Sequence, residues 1–298
     1  MKSLGITVKD LIRVYRIGKV EIQALRGLTM SVKEGEVVSI IGPSGSGKTT
    51  LLNIIGGLDK ATAGSVLVGD TEVTAMSTSQ LVEFRRKMVG HIFQTLNLIP
   101  TLTAAENVEL PMIAMGVSRS KRVERVKTLL EVVGLTDRAK HKPDELSGGE
   151  QQRVAIAAAL ANDAPVLLAD EPTGELDTVN AKIVVDFLMK VNRDLGKTIV
   201  MVTHDPSVAR AANRILRIED GMIKASLTPT QLMEPATAIS YVDQLRARLA
   251  DIDNQIEKLD KDFKAGKISG DEYVEQRQRL KQTREGLRDE LHRMGVVT

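Results

Sequence analysis

The chain has 298 residues, 42% hydrophobic and 27% charged, enough to bury a substantial core and to leave an appendage beside one large domain. A formal net charge of +2 argues against a dedicated nucleic-acid binder, and the absence of cysteine excludes disulfides and thiolate metal sites. No stretch approaches the roughly 18 continuous apolar residues of a membrane span, and Met1–Gly5 lacks the apolar core of a signal peptide, so a cytosolic chain is expected.

From Ile6 to Val38 short apolar runs alternate with polar residues, punctuated by Gly18, Gly27 and Gly35. This predicts antiparallel strands that lead into a central strand ending at Ile41. Tyr15, one of three tyrosines, is either a half-buried strand residue or a platform for an adenine ring. The central strand runs into Gly42-Pro43-Ser44-Gly45-Ser46-Gly47-Lys48-Thr49-Thr50, followed by the helix-like Leu51–Ile55. The spacing G-x-x-x-x-G-K-[ST] between a strand and a helix is a phosphate cradle, because glycines let backbone N–H groups and the helix N-terminus approach a polyphosphate closely. Lys48 adds a charge at the β- and γ-phosphates, and Thr49 a hydroxyl for Mg²⁺.

Gly64–Val73 reads as a strand or hairpin arm, Ser77 as the cap of a helix reaching Met88, and Val89–Phe93 as a strand that delivers Gln94. The pattern between Thr95 and His141 is helical, from Thr103 or Ala104 to Met115 and from Ser118 to Val133, with Pro100, Pro111 and Gly116 breaking it into pieces. Arg119, Lys121, Arg122, Arg125 and Lys127 interleave with Val123, Val126, Leu129 and Leu130, so this basic run reads as the solvated face of a helix.

Ser147, Gly148, Gly149 and Glu150 precede an alanine-rich helix and form a second anion-facing helix start. Val166–Pro172 is an apolar run that ends in acid, the signature of a buried parallel strand with carboxylates at its ligand-binding edge. Asp170 is placed to hold Mg²⁺ through water, and Glu171 to take a proton from an attacking water. A further strand, Thr198–Thr203, ends in His204, which can point at the same phosphate.

With these motifs in this order, roughly residues 3 to 225 resemble the nucleotide-binding subunit of an ABC transporter. The stretches Phe93–Pro100 and Thr101–Val108 and the pair Leu110-Pro111 are similar to the macrolide-export and lipoprotein-release branch. The resemblance implies an α/β fold with a RecA-like P-loop NTPase core, an antiparallel β-subdomain, a helical subdomain over about 94–162, and a boundary near residue 228. It implies ATP and Mg²⁺ as cofactors, Tyr15 stacked on adenine, and Gln94 in contact with Mg²⁺ and the attacking water. His204 would hold the γ-phosphate, and Ser147 and Gly149 would close over the ATP of a second copy in a head-to-tail homodimer. The partner it implies is an integral-membrane permease on a separate chain, which would hold this chain at the cytoplasmic face of the membrane. Glu175, in the loop Glu175-Leu176-Asp177 by which the two copies sense each other, and Ala158, in the helix after Glu150, depart from the branch's usual residues and put partner coupling in doubt.

Beyond a linker over 229–237 the pattern changes. Val242, Leu245, Leu249, Ile252, Ile256, Leu259 and Phe263 make a heptad seam. Gly266 ends that helix, and Ser269 to Glu272 offers a capping box with Ile268 and Tyr273 as its staple. Leu280, Leu287 and Met294 carry a second helix, with Arg277 and Arg284 near the other seam position. Residues 238–298 therefore read as a C-terminal α-helical hairpin, either a simple cap or an element that pairs with the other protomer or the permease. An ATP-gated signalling ATPase of the cell-division-associated type carries the same motifs. A DNA-repair ATPase does not fit, because only about 100 residues separate the cradle from Ser147, and a tandem translation factor would need two cradles.

Overall fold

The computed structural model describes residues 3–18, 20–233 and, beyond them, 249, 252, 253, 255–257, 259–261, 263 and 270–293. The chain divides into two compact units, Met1–Met233 and Glu234–Thr298.

In the first unit β1 (Ile6–Ile17) and β2 (Val20–Val32) form an antiparallel hairpin that β4 (Ala63–Val68) and β5 (Thr71–Glu72) extend into a four-stranded sheet of order β2-β1-β4-β5. The second sheet joins β3 (Val37–Ile41), β6 (Val89–Ile92), β7 (Val166–Asp170), β8 (Thr198–Val202), β9 (Arg214–Glu219) and β10 (Met222–Leu227) in the order β10-β9-β3-β8-β7-β6. All its pairings are parallel except the edge pair β9–β10.

Period-2 alternation divides the core between the two faces of this sheet. Val38, Ile40, Leu168, Val200 and Val202 point toward α1 (Lys48–Ile55) and the antiparallel sheet. Leu167, Ala169, Ile199 and Met201 point toward the helical side, where α3 (Ala104–Ala114), α4 (Arg119–Val132), α5 (Gly148–Ala159) and α6 (Thr178–Leu195) pack. Helices α3, α4 and α5 lie within the span 94–162 expected to form a helical subdomain. Short α7 (Pro206–Ala209) and α8 (Pro229–Met233) complete the unit, together with α2 (Thr78–Met88), which is closed by the Ser77–Gln80 capping box.

Three local expectations are corrected. Pro111 does not break its helix, since α3 runs through it to Ala114. The missing N–H bond is offset by a buried stripe, Ala104, Val108 and Met112, and by the Thr103–Glu106 capping box at the helix start. The basic run of α4 is not wholly solvated. Arg122 Nε pairs with Glu109 of α3 at 2.7 Å and Arg125 Nη2 donates to the Leu160 carbonyl at 3.1 Å, whereas Val123 is the exposed residue. Pro229–Met233 is a short helix rather than linker.

In the second unit the described residues between 249 and 263 are helical and α9 (Gly270–Arg293) follows. Phe263 stacks on Tyr273 with ring centroids 4.2 Å apart, the Tyr273 hydroxyl donates to Asp260 at 2.7 Å, and Arg277 and Arg284 reach Asp260 and Asp253 at 3.1 and 2.8 Å. These contacts pair the two helices antiparallel. The arginines near the seam are thus explained by facing carboxylates, and Tyr273 stacks on Phe263. Val242, Leu245, Gly266, Ile268, Ser269 and Met294, and the side chains of Glu272 and Leu287, lie outside the described residues. Among the described residues no helix is long and apolar enough to cross a membrane.

Candidate active site

The parallel strands β3, β7 and β8 end at the same edge of the sheet, and each hands one functional segment to it. After β3 the cradle turns at Gly45 and Gly47, whose φ angles of 76° and 99° are left-handed and suited to glycine. Gly47 also cannot carry a side chain, because a Cβ there would lie 2.5 Å from the Ala24 carbonyl oxygen of β2. Helix α1 then starts with no side-chain cap and no acid in its first turn, leaving its N–H groups for an anion. Lys48 curls back so that Nζ donates to the carbonyls of Gly42 and Pro43, both at 2.9 Å. The Ser46 hydroxyl is buried without a protein partner.

At the end of β7, Asp170 still pairs with Val202, and Thr49 Oγ1 donates to its Oδ1 at 3.2 Å. Burial pushes the Asp170 carboxyl above its ordinary range and the Glu171 charge adds to this, while the Thr49 bond and the Lys48 charge oppose it. A buried carboxylate beside a hydroxyl and a carboxylate neighbour is suited to a cation. Glu171 takes a left-handed φ of 47° with its N–H on the Val202 carbonyl at 3.0 Å. Its carboxylate accepts from His204 Nδ1 at 2.8 Å; Glu171 is 12% exposed at its side chain and His204 72%. A cavity of about 410 Å³ is lined by Ser44, Gly45, Gly47, Lys48, Thr49 and Thr50 together with Gln94, Glu171 and His204. Ala24 also lines it, and no sequence signal marks that residue, because it reaches the cavity through the packing of β2 on the cradle.

Two sets of expected site residues lie elsewhere. Tyr15 does not line this cavity; its hydroxyl donates to Asp59 at 2.6 Å and the Arg13 guanidinium, itself bonded to Asp59, lies 4.3 Å over its ring. Ser147, Gly148, Gly149 and Glu150 begin α5 away from the cavity. The Ser147 hydroxyl accepts from the Glu150 N–H at 3.3 Å, and the Ser147 N–H and hydroxyl both donate to the Glu150 carboxylate at 2.8 Å. Those bonds hold the Glu150 carboxyl below its usual range, with Arg138 assisting. Glu150 therefore serves first as a helix cap.

A larger cavity of about 540 Å³ is lined by Ala155, Ala158 and Ala159 of α5, Leu110 of α3, and Phe93 and Leu96 on either side of Gln94 in the chain.

The family profile described as ABC transporter matches residues 25–174. An uncharacterized ABC transporter ATP-binding protein of Thermotoga maritima is 51% identical over 72% of this chain and 92% of its own length. The macrolide export ATP-binding/permease protein MacB of Aggregatibacter actinomycetemcomitans is 44% identical over 82% of this chain but only 37% of its own. Among solved structures, the dimeric post-hydrolysis state of the ATP-binding cassette MJ0796 bound to ADP and Pi, a protein of Methanocaldococcus jannaschii, aligns with a TM-score of 0.71. That alignment has 45% identity and covers 75% of this chain and 98% of the other. The fold agrees with these likenesses, and the chain belongs to the ABC transporter family as one of its ATP-binding proteins.

Proposed function

We propose that this chain hydrolyses ATP in a head-to-tail dimer and that the resulting cycle of closing and opening drives a separate membrane permease, as in macrolide export, from the cytoplasmic face of the membrane. The observation that carries the reading is the 2.8 Å bond between Glu171 and His204 in the cavity that Lys48 and Gln94 also line.

Lys48 exchanges its bonds to the Gly42 and Pro43 carbonyls for phosphate oxygens, and the open N–H groups of α1 take up the remaining negative charge. Thr49 and Gln94, with Asp170 through water, would hold Mg²⁺, which would neutralise charge on the phosphates. Glu171 accepts the proton of the attacking water, and the ring that orients its carboxylate is exposed enough to turn toward the γ-phosphate. Tyr15, steadied by Arg13 and Asp59, supplies the ring for adenine. Ser147 and Gly149 meet the γ-phosphate bound by the second copy, which competes there with the Glu150 carboxylate that caps α5. The larger cavity, lined by Phe93 and Leu96 and also by Arg85 and Arg86, receives the permease, so that its occupancy reaches Gln94 along the chain. The likeness to MacB supports the export arm of this reading.

The test is Glu171→Gln, which keeps shape and removes the base. Turnover should fall by about 10²- to 10⁴-fold while ATP still binds. Near-normal turnover would contradict the role of Glu171.

A further inference from the structure

The start of α5 packs closely against the start of α6 within its own chain, which neither the cap nor the cavity accounts for. Gly149 is buried, and a Cβ placed on it would lie 2.4 Å from Asn180 Oδ1 and 2.7 Å from Asn180 Cγ. The amide of Asn180 thus occupies the space a side chain at 149 would need. Its orientation follows from chemistry. Asp177, the N-cap of α6, already accepts from the N–H groups of Val179 and Asn180 at 3.0 and 3.1 Å, and its carboxylate can only accept. The amide must therefore turn its NH₂ to Asp177 Oδ2, at 2.5 Å, which leaves its carbonyl oxygen against Gly149. The bond also holds the Asp177 carboxyl below its usual range, chiefly through the Asn180 amide. Beside this contact Leu176 lies 3.6 Å from where a Gly148 side chain would begin.

The same short segment reaches the hydrolytic centre at its other end. Gly174 donates its N–H to the Glu171 carbonyl at 3.0 Å, and Gln94 Nε2 lies 3.9 Å from the Cβ position of Gly174. Residues 174–180 thus run from the general base and Gln94 to the turn Ser147–Gly149.

We propose that Asn180 is a positioning residue that clamps Ser147–Gly149 to this segment, so that the turn serving the second copy's nucleotide moves with the chain's own Glu171 loop. The proposal rests on the head-to-tail reading above, and it deepens that reading by naming the strut that links the two nucleotides. Asn180 acts through Gly149 and Asp177 and touches no nucleotide.

The test is Asn180→Asp, which conserves volume but replaces the donating NH₂ by an oxygen facing the Asp177 carboxylate. In the full-length chain carrying Glu171→Gln, dimerisation with ATP and Mg²⁺ is measured by sedimentation, with ATP affinity measured on the monomer. The account expects dimerisation about tenfold weaker or more, ATP affinity unchanged, and faster exchange of the Glu150 amide in the nucleotide-free monomer. The swap Asp177→Asn with Asn180→Asp restores donor and acceptor as well as the cap, and should recover both exchange protection and dimerisation. Wild-type dimerisation and exchange in Asn180→Asp overturn the clamp, as does a swap that recovers neither. Failure of the Glu171→Gln parent itself to dimerise would instead overturn the head-to-tail reading; slow exchange lost in Asn180→Asp and regained in the swap would still support the clamp within one chain.

Discussion

Two helices of this molecule begin with glycine-flanked turns, and they are built in opposite ways. Helix α1 starts at Gly47 without a side-chain cap or a first-turn acid, and Lys48 lies over its own loop. Helix α5 starts at Ser147 with a complete capping box, and the Glu150 carboxylate already takes the Ser147 N–H and hydroxyl. The first has unsatisfied donors and a positive charge, so a polyphosphate relieves a local deficit there. The second is satisfied by its own chain, so an anion has to compete with Glu150. On the function proposed above, a resident nucleotide belongs at α1, and a contact made only on closure belongs at α5.

The largest effect on this contrast comes from acid, through what lies beneath α1. The His91 ring packs against Gly56, the C-cap of α1, and burial pulls its pKa down to about 4 from an ordinary 6.5. The unfolded imidazole protonates near 6.5 and the folded one waits until about 4, so this contribution is fully present above pH 6.5 and drains away as pH falls toward 4. The span corresponds to about 3 kcal/mol. Urea titrations at several pH values should show that slope, and His91→Phe, which keeps a ring beside Phe93, should flatten it between pH 6.5 and 4.

Next comes Lys48→Met, which removes the charge at the open helix end. Loss of charge-assisted bonds of about 1.5–3 kcal/mol predicts ATP binding weaker by about 10- to 150-fold, read by calorimetry. ATP affinity within twofold of wild type would mean that α1 is no more a phosphate site than α5.

The smallest effect is that of Ser147→Ala. Loss of the cap should cost about 1 kcal/mol of stability in chemical denaturation, while ATP binding by the single chain stays as it was. Glu150, held below its ordinary pKa of 4.5 by the same Ser147 bonds, contributes stability that is present above 4.5 and lost as pH falls through its lowered folded value. This acid arm overlaps only the lower end of the His91 window and should vanish in Glu150→Gln.

The cradle was legible because its residues are contiguous and bounded by a strand and a helix, and the acid-ended strand with Glu171 because an apolar run cut off by carboxylates has few other uses. The central sheet followed from periodicity, as did the helical state of the described tail residues. What periodicity could not supply were contacts between segments distant in the chain. Asp59, which holds Tyr15 and Arg13, is one example, and Ala24 at the cradle is another. The glycine at 149 was readable as an anion-facing turn, but its need for space against Asn180 depends on how α5 and α6 pack. Pro111 misled because tertiary burial of one face of α3 outweighs a local breaker.

The central claim is that the two helix ends serve two nucleotides shared between two copies. The most direct measurement is the mass of Glu171→Gln protein by light scattering, with and without ATP and Mg²⁺. The account predicts a species near 32.5 kDa that doubles when ATP and Mg²⁺ are added. A mass that stays near the monomer's with ATP bound would contradict it.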